Sequence, residues 1–230
     1  MISNGKFYES QFEEATIELL REAHWQYAFG DNIHRKYTDP LIEEDLRNFL
    51  AVQYKDKNLT TSEMDSIVAN LRNTGGQNDY YALRNTFLLY RDGYDFAYSD
   101  GRSNPFRLEY IDFEHPVHNI FRCVNQFVME QGRENRRPDI LLFINGIPVC
   151  IIELKNPTKQ NATIHDAHTQ ICTRYMRDIP ALLKYCALAV ISDGAKNALG
   201  ATYTPFEFFY EWKKIENEDK AGKGLDTLRT

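Results

Sequence analysis

Asp139, Glu153 and Lys155 punctuate one of the most apolar stretches of the chain, Arg137-Pro-Asp-Ile-Leu-Leu-Phe-Ile-Asn-Gly-Ile-Pro-Val-Cys-Ile-Ile-Glu-Leu-Lys155. Side chains alternate along a strand, so Glu153 and Lys155 share one face while Ile152 and Leu154 share the other. Two carboxylates and a backbone carbonyl, here that of Leu154, make an all-oxygen donor set of the kind Mg²⁺ prefers. Such an ion acidifies a bound water and polarises a phosphate oxygen. A lysine beside it can orient the nucleophile, help deprotonate it, or neutralise the charge that develops. The chemistry these types support is hydrolysis of a phosphodiester, with Asp139 and Glu153 as ligands and Lys155 as the charged helper. Without the ion the neighbouring acids repel each other, and at least one carboxyl is expected to hold its proton more tightly, an effect Lys155 offsets only in part. An acid and a lysine at a strand end are often just solvated, but this strand is apolar on both faces.

Register tests the idea. A two-residue turn at Asn145-Gly146 pairs 144 with 147 and sets Asp139 opposite Ile152, facing away from Glu153. A three-residue loop, with Gly146 left-handed, pairs 143 with 147 and returns Asp139 to the face of Glu153. A shared site therefore predicts that looser turn, or a bulge beside Pro148.

The elements that must hold these residues follow from pattern. The first seventy residues read as helical: Phe12, Ala15, Leu19, Leu20 and Ala23 form a stripe with Glu9, Glu13, Glu14, Glu18 and Glu22 among the polar positions. Asp39-Pro40 predicts a helix start, with Leu41, Leu46, Phe49 and Leu50 as its apolar face. Thr60 and Glu63 fit a capping box, and Asn73-Thr-Gly-Gly76 ends that helix. Residues 79–90 suit either helix or strand. From about 94 the period changes, and 94–98, 107–113 and 120–128 read as strands rich in aromatic and β-branched residues. A basic loop, 131–137, precedes the hairpin. Residues 163–176 read as a helix and 185–191 as a further buried strand, closed by Ser192-Asp-Gly194.

Length and composition bound the rest. The 230 residues are 43% hydrophobic and 26% charged, ordinary for a soluble domain. No run approaches a membrane span and no secretory leader is visible, so the sequence is read as cytoplasmic. Cys123, Cys150, Cys172 and Cys186 form no close pair and are read as reduced and structural. A net charge of −6 does not advertise nucleic-acid binding, which depends on local patches instead.

The run Arg137-Pro-Asp139, with Glu153-Leu-Lys155 fourteen positions after the aspartate, resembles the PD-(D/E)xK nuclease motif. Leu-Phe-Ile-Asn-Gly-Ile-Pro between them, Asn156-Pro157 after them, Asn125-Gln126-Phe127, Arg177-Asp-Ile-Pro180 and Ser192-Asp-Gly194 resemble the amino-terminal domain of the restriction (R) subunit of type I restriction–modification enzymes. The resemblance spans most of residues 7–213. It implies an α/β restriction-endonuclease-like fold, a central mixed sheet flanked by helices with a helical amino-terminal region. Residues 1–213 would form the nuclease domain, 1–75 mainly helical and 94–213 the α/β core, and the charged 214–230 a linker toward an ATP-driven translocase. It also implies Mg²⁺-dependent cleavage of double-stranded DNA, with Mn²⁺ as a substitute. The partners would be methylation and specificity subunits. ATP would serve only the translocase, since no Gly-x-x-x-x-Gly-Lys-Ser/Thr occurs here. The alternatives are a docking module without catalysis, or a repair or structure-specific nuclease on the same scaffold.

Several residues gain roles through this resemblance. Glu13 matches a helix carboxylate that joins the metal in many such nucleases, with Glu9, one turn earlier, as competitor. Gln170 and Tyr175 match a Gln-x-x-x-Tyr motif that implies a DNA- or metal-positioning role, here with one residue too many. That role is read for Gln170 ahead of Tyr175, for which a packed core residue is an equal reading. Five residues of regular helix turn through about 500°, so the two should diverge unless the helix is distorted. Arg136, Arg137 and Arg174, with Arg133, Arg177 and Lys184, cluster around the acids as phosphate contacts that position DNA without reading its sequence. The pairs His165/His168 and His115/His118 have ligand spacing but no third ligand of matching pattern, and are read as surface residues.

Overall fold

The computed structural model describes residues 9–155 and 163–211. Helix α1 (Glu9–Glu22) leads into strand β1 (Gln26–Phe29), followed by helices α2 (Glu43–Gln53), α3 (Thr61–Asn73) and α4 (Asp79–Asp92). The short strands β2 (Tyr94–Phe96) and β3 (Phe106–Leu108) pair with each other. Strands β4 (Phe121–Asn125), β5 (Met129–Gln131), β6 (Glu134–Arg136), β7 (Ile140–Ile144) and β8 (Ile147–Leu154) come next. Helix α5 (Ile164–Thr169) runs through a π turn (Gln170–Tyr175) into α6 (Met176–Asp178), and α7 (Pro180–Leu183), β9 (Leu188–Ser192), β10 (Asn197–Ala201) and β11 (Tyr210–Glu211) complete the described chain.

A seven-stranded sheet ordered β1-β4-β7-β8-β9-β10-β11 forms the centre. It is mixed: β1 runs parallel to β4 and β8 parallel to β9, while the other neighbours are antiparallel. Alternation sorts its side chains between two layers. Cys123, Ile140, Cys150, Ile152 and Leu154 face α1, meeting Phe12, Ile17 and Leu20. Val124, Leu141, Phe143, Ile151, Ala189 and Ile191 face the other way, onto Ala167, Ile171, Tyr175, Leu182 and Leu183 of the segment following β8. A third cluster, built on Leu46, Leu50, Ile67 and Leu71, joins α2 and α3 to the β2–β3 pair and to Ile147. Among the described residues no helix is long and apolar enough to cross a membrane.

Three expectations shift. The stripe of α1 runs through Phe12, Ile17 and Leu20, leaving Leu19 at 66% exposure. Helix α2 starts at Glu43 rather than at Pro40, because Asp39 accepts from the Leu41 amide at 3.1 Å and pairs with Arg72. The helical amino-terminal region is interrupted by β1, whose four residues carry no alternation of their own and are strand because β4 offers them an edge. The Thr60/Glu63 capping box is present as expected, and 79–92 is helix. Trp212 and the stretch 214–230 lie outside the described residues.

Candidate active site

The hairpin turn is the two-residue one. Ile144 pairs with Ile147 across Asn145 and Gly146, both left-handed at φ 50° and 76°. The three-residue loop is therefore not formed, and the bulge beside Pro148 is. Phe143 pairs with Pro148, but Leu142 pairs with Cys150, so Val149 is the extra residue. Proline has no N–H to give the ladder, which makes this the natural place for pairing to slip. The slip moves every later pair by one: Ile140 meets Ile152, which brings Asp139, in the bend just before β7, alongside Glu153. The charge of Asp139 acts directly on Glu153. Asp139 is pinned there by the Leu154 amide, which donates to its Oδ2 at 2.7 Å.

A second distortion supplies the other half of the site. The five-residue spacing of Gln170 and Tyr175 coincides with the π turn, whose i→i+5 pattern brings residues five apart onto one face. Gln170 Nε2 donates to the Tyr175 hydroxyl at 2.7 Å, and that hydroxyl donates to Glu153 Oε2 at 3.3 Å. Lys155 Nζ donates to Gln170 Oε1 at 2.8 Å and to Glu153 Oε1 at 2.7 Å. Glu153, Lys155, Gln170 and Tyr175 close a ring of hydrogen bonds, and both Gln170 and Tyr175 belong to it.

Glu153 is 1% exposed. Burial, then the charge of Asp139, pushes its carboxyl up to about 8, against the opposing pull of Lys155 and the Tyr175 hydrogen bond. Burial, then Glu153, also raises the Tyr175 phenol, so it stays a donor at neutral pH. The expectation that one acid of the pair would retain its proton falls on Glu153.

The remaining candidates are distributed differently. Glu13, on α1, accepts from Asn125 Nδ2 at 2.7 Å and from Gln126 Nε2 at 3.0 Å. Asn125 alternates with Val124 and so lies on the α1 face, whereas Glu153 alternates with Ile152 and Leu154 and so lies on the opposite one. Glu13 accordingly does not form a three-carboxylate cluster with them among the described residues. A cleft of about 340 Å³ lined by Glu13, Glu14, Arg21, Tyr27, Asn125 and Gln126 opens beside it. Arg136 is committed inside the protein, to the buried Asp178 at 2.7 Å and to Glu134 at 2.6 Å, and Arg177 joins the same aspartate. Lys184 donates to the Arg72 and Thr74 carbonyls. Arg133, Arg137 and Arg174 are exposed. His165 stacks on Phe206 at 3.8 Å, and His168 bonds the Thr204 carbonyl at 3.0 Å. The Glu9 side chain and Asn156-Pro157 lie outside the description. Asp178, which ties the basic loop down, sits 42 positions from Arg136, and no spacing announces that pair.

A mixed seven-stranded sheet between helical layers is a restriction-endonuclease-like fold. The family model described as "Type I restriction enzyme R protein N terminus" matches residues 6–208, and the chain belongs to that family. It is 30% identical over 226 residues to the type I restriction enzyme HindI endonuclease subunit of Haemophilus influenzae, covering 94% of this chain and 21% of that protein. A putative type I restriction enzyme MjaIXP endonuclease subunit of Methanocaldococcus jannaschii is 30% identical over 215 residues, 90% of this chain and 20% of its own length. A Staphylococcus saprophyticus endonuclease subunit, SsaAORF53P, is 26% identical over 221 residues, 91% and 22% respectively. The chain spans about a fifth of the length of these curated relatives.

Proposed function

We propose that this domain cleaves the phosphodiester backbone of double-stranded DNA with a divalent cation, Mg²⁺ or in its place Mn²⁺, held by Asp139, Glu153 and the Leu154 carbonyl. The observation that carries this reading is the buried Glu153 with Asp139 brought alongside it by the Val149 bulge, and one lysine between Glu153 and Gln170. The donors fit a hard cation: all are oxygens, and the charge of buried Glu153 is under-compensated by protein groups alone. When bound, the cation supplies an acidified water and polarises the phosphate oxygen.

The chain's own residues do the positioning. Tyr175 and Lys155 hold the two Glu153 oxygens, and the Leu154 amide holds Asp139. Gln170 holds the Lys155 ammonium, so its charge lies where negative charge grows on the phosphoryl group. Arg137 and Arg174, both exposed, contact DNA phosphates on either side of the scissile bond. In the complete subunit an ATP-driven translocase would deliver the DNA; methylation and specificity subunits would be its partners, and the specificity subunit would supply sequence recognition. ATP is not assigned to these residues.

The test is Asp139→Ala and Lys155→Ala in the assembled complex. Loss of Mg²⁺-dependent cleavage with assembly and ATP-driven translocation intact supports the reading. Cleavage at the unchanged rate would sink it, and loss of assembly instead would make the domain a docking module.

A further inference from the structure

At the far end of the hairpin the structure supplies a third ligand for a histidine pair. Asp112, His115 and His118 form the sequence Asp-x-x-His-x-x-His, and one ligand atom from each lies within 4.8 Å of the others. His118 Nδ1 is 2.9 Å from Asp112 Oδ2, and His115 Nδ1 is 3.7 Å from Asp112 Oδ1. A tetrahedral ion bound to nitrogen and oxygen at zinc-like lengths holds its ligand atoms about 3.3–3.4 Å apart, inside the 4.8 Å that encloses one ligand atom from each of the three residues here. The imidazoles lie nearly parallel, 24° apart with centroids at 5.1 Å, so both present the same edge to the carboxylate.

The carboxylate is already fixed in place. Asp112 is 4% exposed and accepts from the His115 amide at 2.8 Å and from Gln53 Nε2 at 3.2 Å. Asn119 grips its backbone from both sides, accepting from the Asp112 amide at 2.9 Å and donating to its carbonyl at 2.7 Å. The buried Asn145 donates to Asn119 at 2.7 Å and so ties the loop to the hairpin turn. Both histidine side chains are more than half exposed, which leaves an open path for an ion and open coordination positions for water.

We propose that Asp112, His115 and His118 form a second cation site, specific for a borderline transition ion of the Zn²⁺ class. Two imidazoles and one carboxylate favour such an ion over Mg²⁺. The site is separate from the acids at the other end of β8, since eight residues of strand span roughly 23 Å. Its gain is rigidity: the ion would fasten the 112–119 loop beside the turn of the catalytic hairpin.

The test is calorimetric titration of the metal-stripped protein with Zn²⁺ in excess Mg²⁺, which keeps hard-oxygen sites occupied. One equivalent is expected to bind saturably. His115→Ala and His118→Ala should each weaken it about 100-fold, and Gln53→Ala, which removes only a support of the carboxylate, about tenfold. His165→Ala and Glu153→Gln should leave it unchanged. The milder His118→Gln, checked by circular dichroism, covers any folding defect of the alanine variants. Visible absorption of the Co²⁺-loaded protein should carry a nitrogen-ligated signature that His118→Gln abolishes. Absence of saturable uptake by the unaltered protein, or uptake unchanged in the double histidine variant, would overturn the proposal.

Discussion

Glu63, in the first turn of α3, and Glu153, at the end of β8, are the same side chain with nearly the same exposure, 3% and 1%. Their proton affinities diverge. The Glu63 carboxyl is held down to about 2, first by the Arg102 guanidinium, which grips both oxygens at 2.7 Å, and then by the Thr60 amide. The Glu153 carboxyl is pushed up to about 8 by burial and by Asp139. Asp45, at 5% exposure, is gripped by a two-pronged Arg122 at 2.6 and 2.8 Å. Where fixed donors answer a buried charge completely, the acid is part of the framework. Where they answer it incompletely, beside a second acid, the buried carboxyl holds its proton instead, and the proposed cation would take that proton's place.

The largest effect that would sharpen this contrast is on cleavage. Glu153→Gln is expected to lower the Mg²⁺-dependent cleavage rate by about 10²–10³-fold, while melting is unchanged or raised above pH 8. Glu63→Gln should do the reverse, sparing cleavage and lowering the melting temperature at neutral pH. Equal losses of activity from both would break the comparison.

Next comes Arg122→Met, which strands Asp45 with its charge. It should cost about 3–5 kcal/mol in urea-induced unfolding, a loss that the metal-free Glu153→Gln variant does not share.

The third effect is pH. Glu153 has a folded value above the ordinary carboxylate value, so the folded chain binds the extra proton and its contribution to stability is lost as pH rises from about 4.5 through about 8. Glu63 has the opposite sign, its contribution being lost as pH falls from about 4.5 toward 2. For the cation the proton is a competitor: apparent Mg²⁺ affinity by calorimetry should rise about tenfold per pH unit below 8 and level off above it. Asp139→Asn should bring the level region to lower pH. A flat profile between pH 6 and 8 would show that Glu153 is not a ligand.

The smallest effect is expected where a lesion looks worst. Deleting the exposed Thr173 shortens the Gln170–Tyr175 π turn by one residue, and the regular helix expected in its place keeps both flanking faces in position. The melting temperature should change little. Deleting Ala167 instead, buried in a regular turn, should rotate the helix against the sheet and unfold it.

Much of this was legible in residue order because the signals are local. Alternation placed Glu153 and Lys155 on one face, and the capping box marked α3 to the residue. That the register must shift, by a looser turn or by a bulge beside Pro148, followed from counting alone. The turn length did not, because a bulge and a longer loop restore the same face, and only the backbone decides between them. Strand β1 was hidden since four residues on an edge owe their state to a partner some 100 positions away. The commitment of Arg136 to Asp178, and the bonds of Glu13 to Asn125 and Gln126, also depend on tertiary placement that no spacing encodes.

Gly146 has one more implication. A methyl group there would come within 2.1 Å of the Ile42 carbonyl, and the Gly146 carbonyl accepts from the Ile42 amide at 2.9 Å. The tip of the hairpin is thereby riveted to Ile42, the residue that caps the start of α2. The two paired strands run on from that rivet toward Asp139 and Glu153, so any side chain larger than hydrogen at position 146 would have to lift the hairpin tip off the helical layer.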